Sequence, residues 1–304
     1  MSSATRVLFS LLALLPATGL GALQVVIVQG LGGEPRYAEQ FAEQARAAES
    51  AALSLTDEER VRVFDAAEAT RDSLLAHFAS LVTSLGSDDQ LVVYLIGHGS
   101  YDEYQYKFNV AGPDMADADI AAVLDALPSK NQVLINTSSA SGSATDKLRA
   151  DGRIVISATR SGVERHATRF GGYFTAALLD PAADLDKNGM ISAQEAFDFA
   201  DRKVADFFAG NGQLATEHPQ LDGERADRFS LARLGAPQPA FDDGSLRELI
   251  VERDRIAARI ESLRLAKGEL PADEYQQELL SQMLELALAE EAIEIRQQEL
   301  GREN

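Results

Sequence analysis

The apolar positions of the chain gather into short runs separated by amphipathic stretches. Leu23–Val28, Val61–Phe64, Leu91–Ile96, Val133–Asn136 and Arg153–Ala158 are near-continuous and β-branched rather than alternating, as expected of strands covered on both faces. Between and after them, Tyr37–Ala52, Ala66–Leu85, Asp117–Leu127, Phe174–Leu179 and Ala193–Phe208 carry helical spacing, with a helical turn near Thr145–Ala150. Strand and helix in alternation predict an α/β domain of three layers, a mostly parallel sheet between two layers of helices. Ligands of such sheets bind at the carboxyl ends of the strands, where the strand order reverses. Two departures from the alternation stand out. Tyr101–Asp114 is a polar excursion with room for a hairpin strand at Tyr106–Val110, and Gly210–Gly223 is a polar loop.

Beyond residue 234 the pattern changes. Gly235–Gly244, with Pro237 and Pro239, reads as a linker. Leu246, Leu249, Ile250, Ile256, Ile260 and Leu263 then mark one helix, and Leu279, Met283, Leu286, Ile293 and Leu300 a second, with Lys267–Pro271 between them. This predicts an αα-hairpin with a coiled-coil-like seam that closes on itself, docks on the first domain or meets a partner. The expected layout is residues 1–22, 23–234, 235–244 and 245–304.

Residues 1–22 place Arg6 before the apolar run Val7–Leu15, then Pro16 and a small-residue patch ending at Ala22. That is the build of a signal peptide cleaved near Gly21 or Ala22, and it predicts a periplasmic or secreted protein with no membrane contact after cleavage. A retained anchor is the alternative, although the run is short for a span. The net charge of −20 argues against nucleic-acid or anionic-membrane partners. With no cysteine in the chain, an exported fold has no disulfide to rely on and no thiol nucleophile. The glycines of Gly30-Leu31-Gly32-Gly33 are followed by Pro35 where a dinucleotide fingerprint needs its third glycine, so they read as a turn. His77, within the second helix, reads as structural or exposed.

The candidate chemistry lies at two strand ends. Leu91–Ile96 runs into Gly97-His98-Gly99-Ser100, and Val133–Asn136 into Thr137-Ser138-Ser139-Ala140-Ser141-Gly142-Ser143. A histidine that reaches a serine is the minimum for nucleophilic acyl transfer. No G-x-S-x-G elbow surrounds Ser139 and the histidine precedes the serine, which disfavours an α/β-hydrolase. Ser138 fits the same role if the register shifts by one, and Asp102 is near enough in sequence to orient His98. The plainer alternative is a tight turn whose hydroxyls satisfy the loop backbone.

These segments resemble the caspase and legumain superfamily of cysteine peptidases. The likeness rests on Tyr94–Ser100 and Leu134–Ser143, extends to Ile154–Thr159 and Phe170–Phe174, and spans roughly Leu23 to Phe208, leaving the C-terminal hairpin outside. It implies a caspase-like α/β/α fold, His98 as the catalytic histidine and the Gly99 amide as part of an oxyanion hole. It also puts Ser139 where the family has its cysteine, so a catalytically degenerate peptide- or protein-binding domain is expected first, and an endopeptidase using a His98/Ser139 dyad second. The family's preference for acidic or asparagine side chains makes Arg36 and Arg160 the candidate substrate-binding cations.

A separate motif lies at Asp184–Glu195. Oxygen-bearing Asp184, Asp186 and Asn188 at loop positions one, three and five, Gly189 at six, Ile191 at eight and Glu195 at twelve match the spacing of an EF-hand calcium loop. Only one copy is present. Ser192 and Glu195 equally fit an N-cap and its capping box. Structural calcium is the expected cofactor, with no organic one.

Overall fold

The computed structural model describes residues 21–235, 244–265, 267 and 270–303. Residues 1–20 of the proposed signal segment and most of the proposed linker therefore lie outside the described residues.

The five predicted strands lie in one sheet: β1 (Leu23–Gln29), β2 (Val61–Phe64), β3 (Gln90–Ile96), β7 (Asn131–Asn136) and β8 (Arg153–Ser157). These five are mutually parallel, and β10 (Gln220–Asp222) adds antiparallel to β8, giving the order β10-β8-β7-β3-β1-β2. The continuous apolar runs are explained by two cores. Val25, Ile27, Val92, Tyr94, Val133, Ile135, Ile154 and Ile156 face α1 (Pro35–Leu53), α5 (Phe170–Ala177) and α6 (Ala193–Gly210). Their neighbours Val26, Val28, Leu91, Val93, Leu95, Leu134 and Val155 face α2 (Arg71–Ser84), α3 (Asp117–Asp125) and α4 (Thr145–Leu148). Every second residue thus enters a different core, and the buried polar residues of these strands, Gln24, Gln132, Asn136, Arg153 and Ser157, lie at or near the strand ends. At about 1.5–3 kcal/mol per fully buried aliphatic side chain, these strands dominate the burial that favours folding.

The chain steps from β1 outward to β2, then returns to place β3 on the other side of β1. The topological switch point is consequently between β1 and β3, whose carboxyl ends lead into Gly30–Gly33 and Gly97–Gly99.

Several local expectations are corrected. The second helix starts at Arg71 rather than Ala66, because Asp65 Oδ1 accepts the amides of Ala67 and Glu68 in a turn and Thr70 caps the helix in a reciprocal pair with Ser73. The excursion after His98 is a three-stranded sheet, β4 (Gly99–Tyr101), β5 (Tyr106–Phe108) and β6 (Met115–Ala116), rather than one hairpin strand. The loop from Gly210 contains β10. A further ribbon pairs β9 (Met190–Ser192) with β11 (Ser230–Arg233).

At the C-terminus, α7 (Gly244–Leu265) and α8 (Ala272–Glu303) pack on each other, with Ile256, Ile260 and Leu263 buried on the first and Tyr275, Gln282 and Ile293 on the second. Arg259 and Glu285 pair across them at 2.7 Å. Among the described residues, no helix is long and apolar enough to cross a membrane.

Candidate functional site

His98 stands at the switch point. Its half-buried ring meets Tyr37 and Phe41 of α1 edge to face, with centroids 4.8 and 5.0 Å away, and Nε2 lies 3.2 Å from the Gly32 carbonyl oxygen. A carbonyl only accepts, so this contact places the proton of the neutral ring on Nε2 and leaves Nδ1 as the basic nitrogen. The turns approach closely enough to require glycine. A Cβ on Gly97 would stand 3.1 Å from Gly30 Cα, and one on Gly99 would stand 2.5 Å from the Ser139 carbonyl oxygen and 2.6 Å from Ser138 Oγ.

Strand β7, beside β3, delivers the serine turn. Ser138 is fully buried, donating to Asn136 Oδ1 at 2.8 Å and lying 2.6 Å from the Tyr106 hydroxyl. Burial pushes the Tyr106 phenol up, so this cluster is neutral and serves to brace the turn. The Ser138 hydroxyl is thus engaged inside the turn, away from the His98 ring's contacts. Ser139 is only 4% exposed; its hydroxyl donates to the Gly99 carbonyl at 3.1 Å, and the Gly99 amide points back at the same oxygen from 3.5 Å. Among the described residues no hydrogen bond joins His98 to Ser139. The strand ends bring the two residues to adjacent turns, but each side chain is turned onto backbone.

The next residue, Ala140, has φ +58°, a left-handed conformation that costs a Cβ-bearing residue on the order of 1 kcal/mol or more. The neighbourhood fixes it there. The Ala140 amide donates to the Glu164 carbonyl at 2.9 Å, while the buried Glu164 carboxylate accepts from the Arg160 and His218 amides and lies 2.6 Å from His218 Nδ1. Glu164 thereby ties the serine turn to its own loop and to the distant loop that carries His218. Neighbouring Glu217 accepts the Arg169 and Phe170 amides at the start of α5, although burial outweighs those donors and raises its pKa.

The two candidate cations separate. Exposed Arg160 lies 3.7 Å from Glu164 and lines a polar cleft of about 660 Å³ with Gly142, Thr145, Gln194, Asp201 and Gln220. The cleft opens beside the serine turn, and Ser139 is not in its lining. Arg36 is exposed, ion-paired to Glu34 at 3.0 Å and placed over the Tyr37 ring, on the His98 side. Asp102 does not orient His98. It caps its own turn by accepting the Tyr104 and Gln105 amides and pairs with Lys107 at 3.0 Å, and the Gln105 amide first, with Lys107 second, holds its carboxyl at about 2.

In the second candidate site, carboxylate oxygens of Asp184, Asp186 and Glu195 lie within 4.8 Å of one another. Lys187 and Gly189 take φ +62° and +79°, which folds the loop over these groups. Asp184 accepts the Asn188 and Gly189 amides, and Glu195 accepts the Leu185 amide through one oxygen and the Ser192 amide through the other. The Ser192 hydroxyl in turn accepts the Glu195 amide, so the capping box and the acidic cluster exist together. Ile191 belongs to the core rather than to the ligand set, being fully buried on β9; the seventh loop position, whose carbonyl binds in calcium loops, is Met190. The preceding helix, α5, ends at Ala177, well short of Asp184, and β9 is paired by β11 instead of by a second calcium loop.

Sequence reasoning missed Glu164, Glu217, His218 and the left-handed Ala140. The only local trace is Glu217-His218 preceding a proline, which does not disclose partners some fifty residues away.

No protein family matches the chain, and no curated protein does. Among solved structures, the crystal structure of protein GSU0716 from Geobacter sulfurreducens is similar over 72% of this chain and 96% of its own, at 15% identity and a TM-score of 0.42.

Proposed function

We propose that this is an exported caspase/legumain-like domain that holds a peptide or protein segment without cutting it. What carries the reading is the state of the Ser139 hydroxyl, which is buried and bonded to the Gly99 carbonyl rather than to His98. A serine hydroxyl requires a positioned base to become a nucleophile, and no hydrogen bond supplies one among the described residues. The Gly32 carbonyl fills the orienting place that a carboxylate occupies in serine peptidases, so the dyad lacks a charge to stabilise an imidazolium. Adjacent strand ends at the switch point, with the Gly99 amide aimed at the nucleophile position, support the family resemblance. Arg160, on the cleft beside the turn, is the cation best placed to receive an acidic or amide side chain; Arg36, paired with Glu34, does not line that cleft.

The test is turnover of a fluorogenic peptide library. The unmutated chain is expected to stay at background, and Ser139→Cys to gain at least tenfold over it. Cleavage by the unmutated chain that disappears in both Ser139→Ala and His98→Ala would establish the endopeptidase reading instead.

We further infer that the Asp184–Glu195 loop holds calcium in a structural role, through Asp184, Asp186, Asn188 and Glu195 with the Met190 carbonyl. The clustered oxygens and the left-handed turn support this. Export rests on the segment before residue 21.

A further inference from the structure

Helix α8 has two apolar faces. One is the seam with α7, where Tyr275, Gln282 and Ile293 are buried. The other points away from it. Leu280, Leu284, Leu288 and Ile295 recur four, four and seven residues apart, which at 3.6 residues per turn confines them to an arc of about 80° opposite the seam. Met283 widens it. These side chains are exposed by 71%, 62%, 58%, 52% and, for Met283, 50%, whereas a helix needing only one partner has a polar outer face.

The charge around this stripe limits what covers it. Glu291 interrupts it, Glu274 and Glu290 lie on its flanks, and the only cations of α8 are Arg296 and Arg302. A second copy of α8 would bring two acidic rims together, and such juxtaposition is strongly unfavourable. We infer that the outer face of α8 is a docking surface for an amphipathic helix of another protein, one with an apolar stripe of leucine type bordered by lysine or arginine. Apolar contact supplies the attraction and the basic rim the selectivity. The surface belongs to the C-terminal helices, outside the region that carries His98 and Ser139, so it is independent of the peptidase-like reading.

The full chain is titrated, by fluorescence anisotropy, with two designed helical peptides that share a leucine stripe and differ in a lysine or a glutamate rim. The lysine peptide is expected to bind at least tenfold more tightly. Leu284→Asp with Leu288→Asp, at two exposed positions, should weaken it at least tenfold while leaving the helical circular dichroism of the full chain unchanged. Glu290→Lys with Glu291→Lys should shift the preference toward the glutamate peptide. Equal binding of the two peptides, or lysine-peptide binding that survives the leucine substitutions, overturns the proposal. So does sedimentation showing a dimer of the unmutated chain that the same leucine substitutions dissociate, which would assign the face to a second copy.

Discussion

Gly99 sits where three parts of the site converge, and its missing side chain is a packing requirement. A Cβ there would come within 2.7 Å of the Tyr106 ring as well as of the Ser138 and Ser139 atoms. Gly99→Ala should therefore cost about 1–3 kcal/mol, read as a lower denaturant midpoint, because neither backbone nor braced ring is free to move. Gly210→Ala, at a position where an added Cβ meets nothing within 4 Å, is the control and should change stability by less than about 0.5 kcal/mol. His77 offers a different readout. It packs against Phe64 and Phe78 with Nε2 buried and unpartnered, and burial first, then Arg62, lowers its pKa. The unfolded chain protonates this histidine near pH 6.5 and the folded chain only below that. As pH falls through that window the unfolded state binds more protons, so stability is lost. Replacing His77 with leucine should flatten the decline of melting temperature between about pH 7 and pH 5, and an unchanged slope would refute the assignment. At this scale the sequence was partly legible: an apolar run ending in His-Gly or in small hydroxyl residues marked both turns. The side-chain directions were not, since whether Ser139 faces His98 or Gly99 depends on turns from separate strands.

At the scale of elements, what local pattern missed was fixed by distant partners. Helix α5 begins at Phe170, four residues before the expected start, because Glu217 accepts the amides that open it. Arg169 itself carries no capping side-chain bond there and instead lies over the Phe207 ring. A carboxylate arriving from another loop leaves no periodic or capping signal beside the helix. Glu217→Ala should accordingly destabilise by about 1–3 kcal/mol, since it strands buried amide donors, and Glu217→Gln should cost less by retaining an acceptor. A melting temperature unaffected by Glu217→Ala would show that water replaces the carboxylate. The short strands β10 and β11 were illegible for a related reason. Each is three or four residues long, and each exists only because β8 or β9 offers an edge.

For the whole molecule, the sheet was the most legible feature, because alternate residues of each central strand feed opposite cores and the sequence shows this as unbroken apolar runs. The same fold has no disulfide, so the long excursion between β8 and β10 is held by packing, by the Glu164 and Glu217 anchors and, under the calcium reading, by an ion. That reading has a test which separates ion from cap. Glu195 serves both the acidic cluster and the Ser192 capping box, and glutamine preserves the box while removing the charge. An ion bound only to the folded chain at a hundred times its dissociation constant adds about 2.7 kcal/mol. For a domain of this size that is a rise of several degrees in melting temperature between chelator and millimolar calcium. Glu195→Gln and Asp186→Asn should each abolish the rise while leaving the chelated protein folded, and calcium should not protect either variant. If the unmutated chain melts at the same temperature in both buffers, the loop is held by its own hydrogen bonds and Glu195 is a helix cap alone.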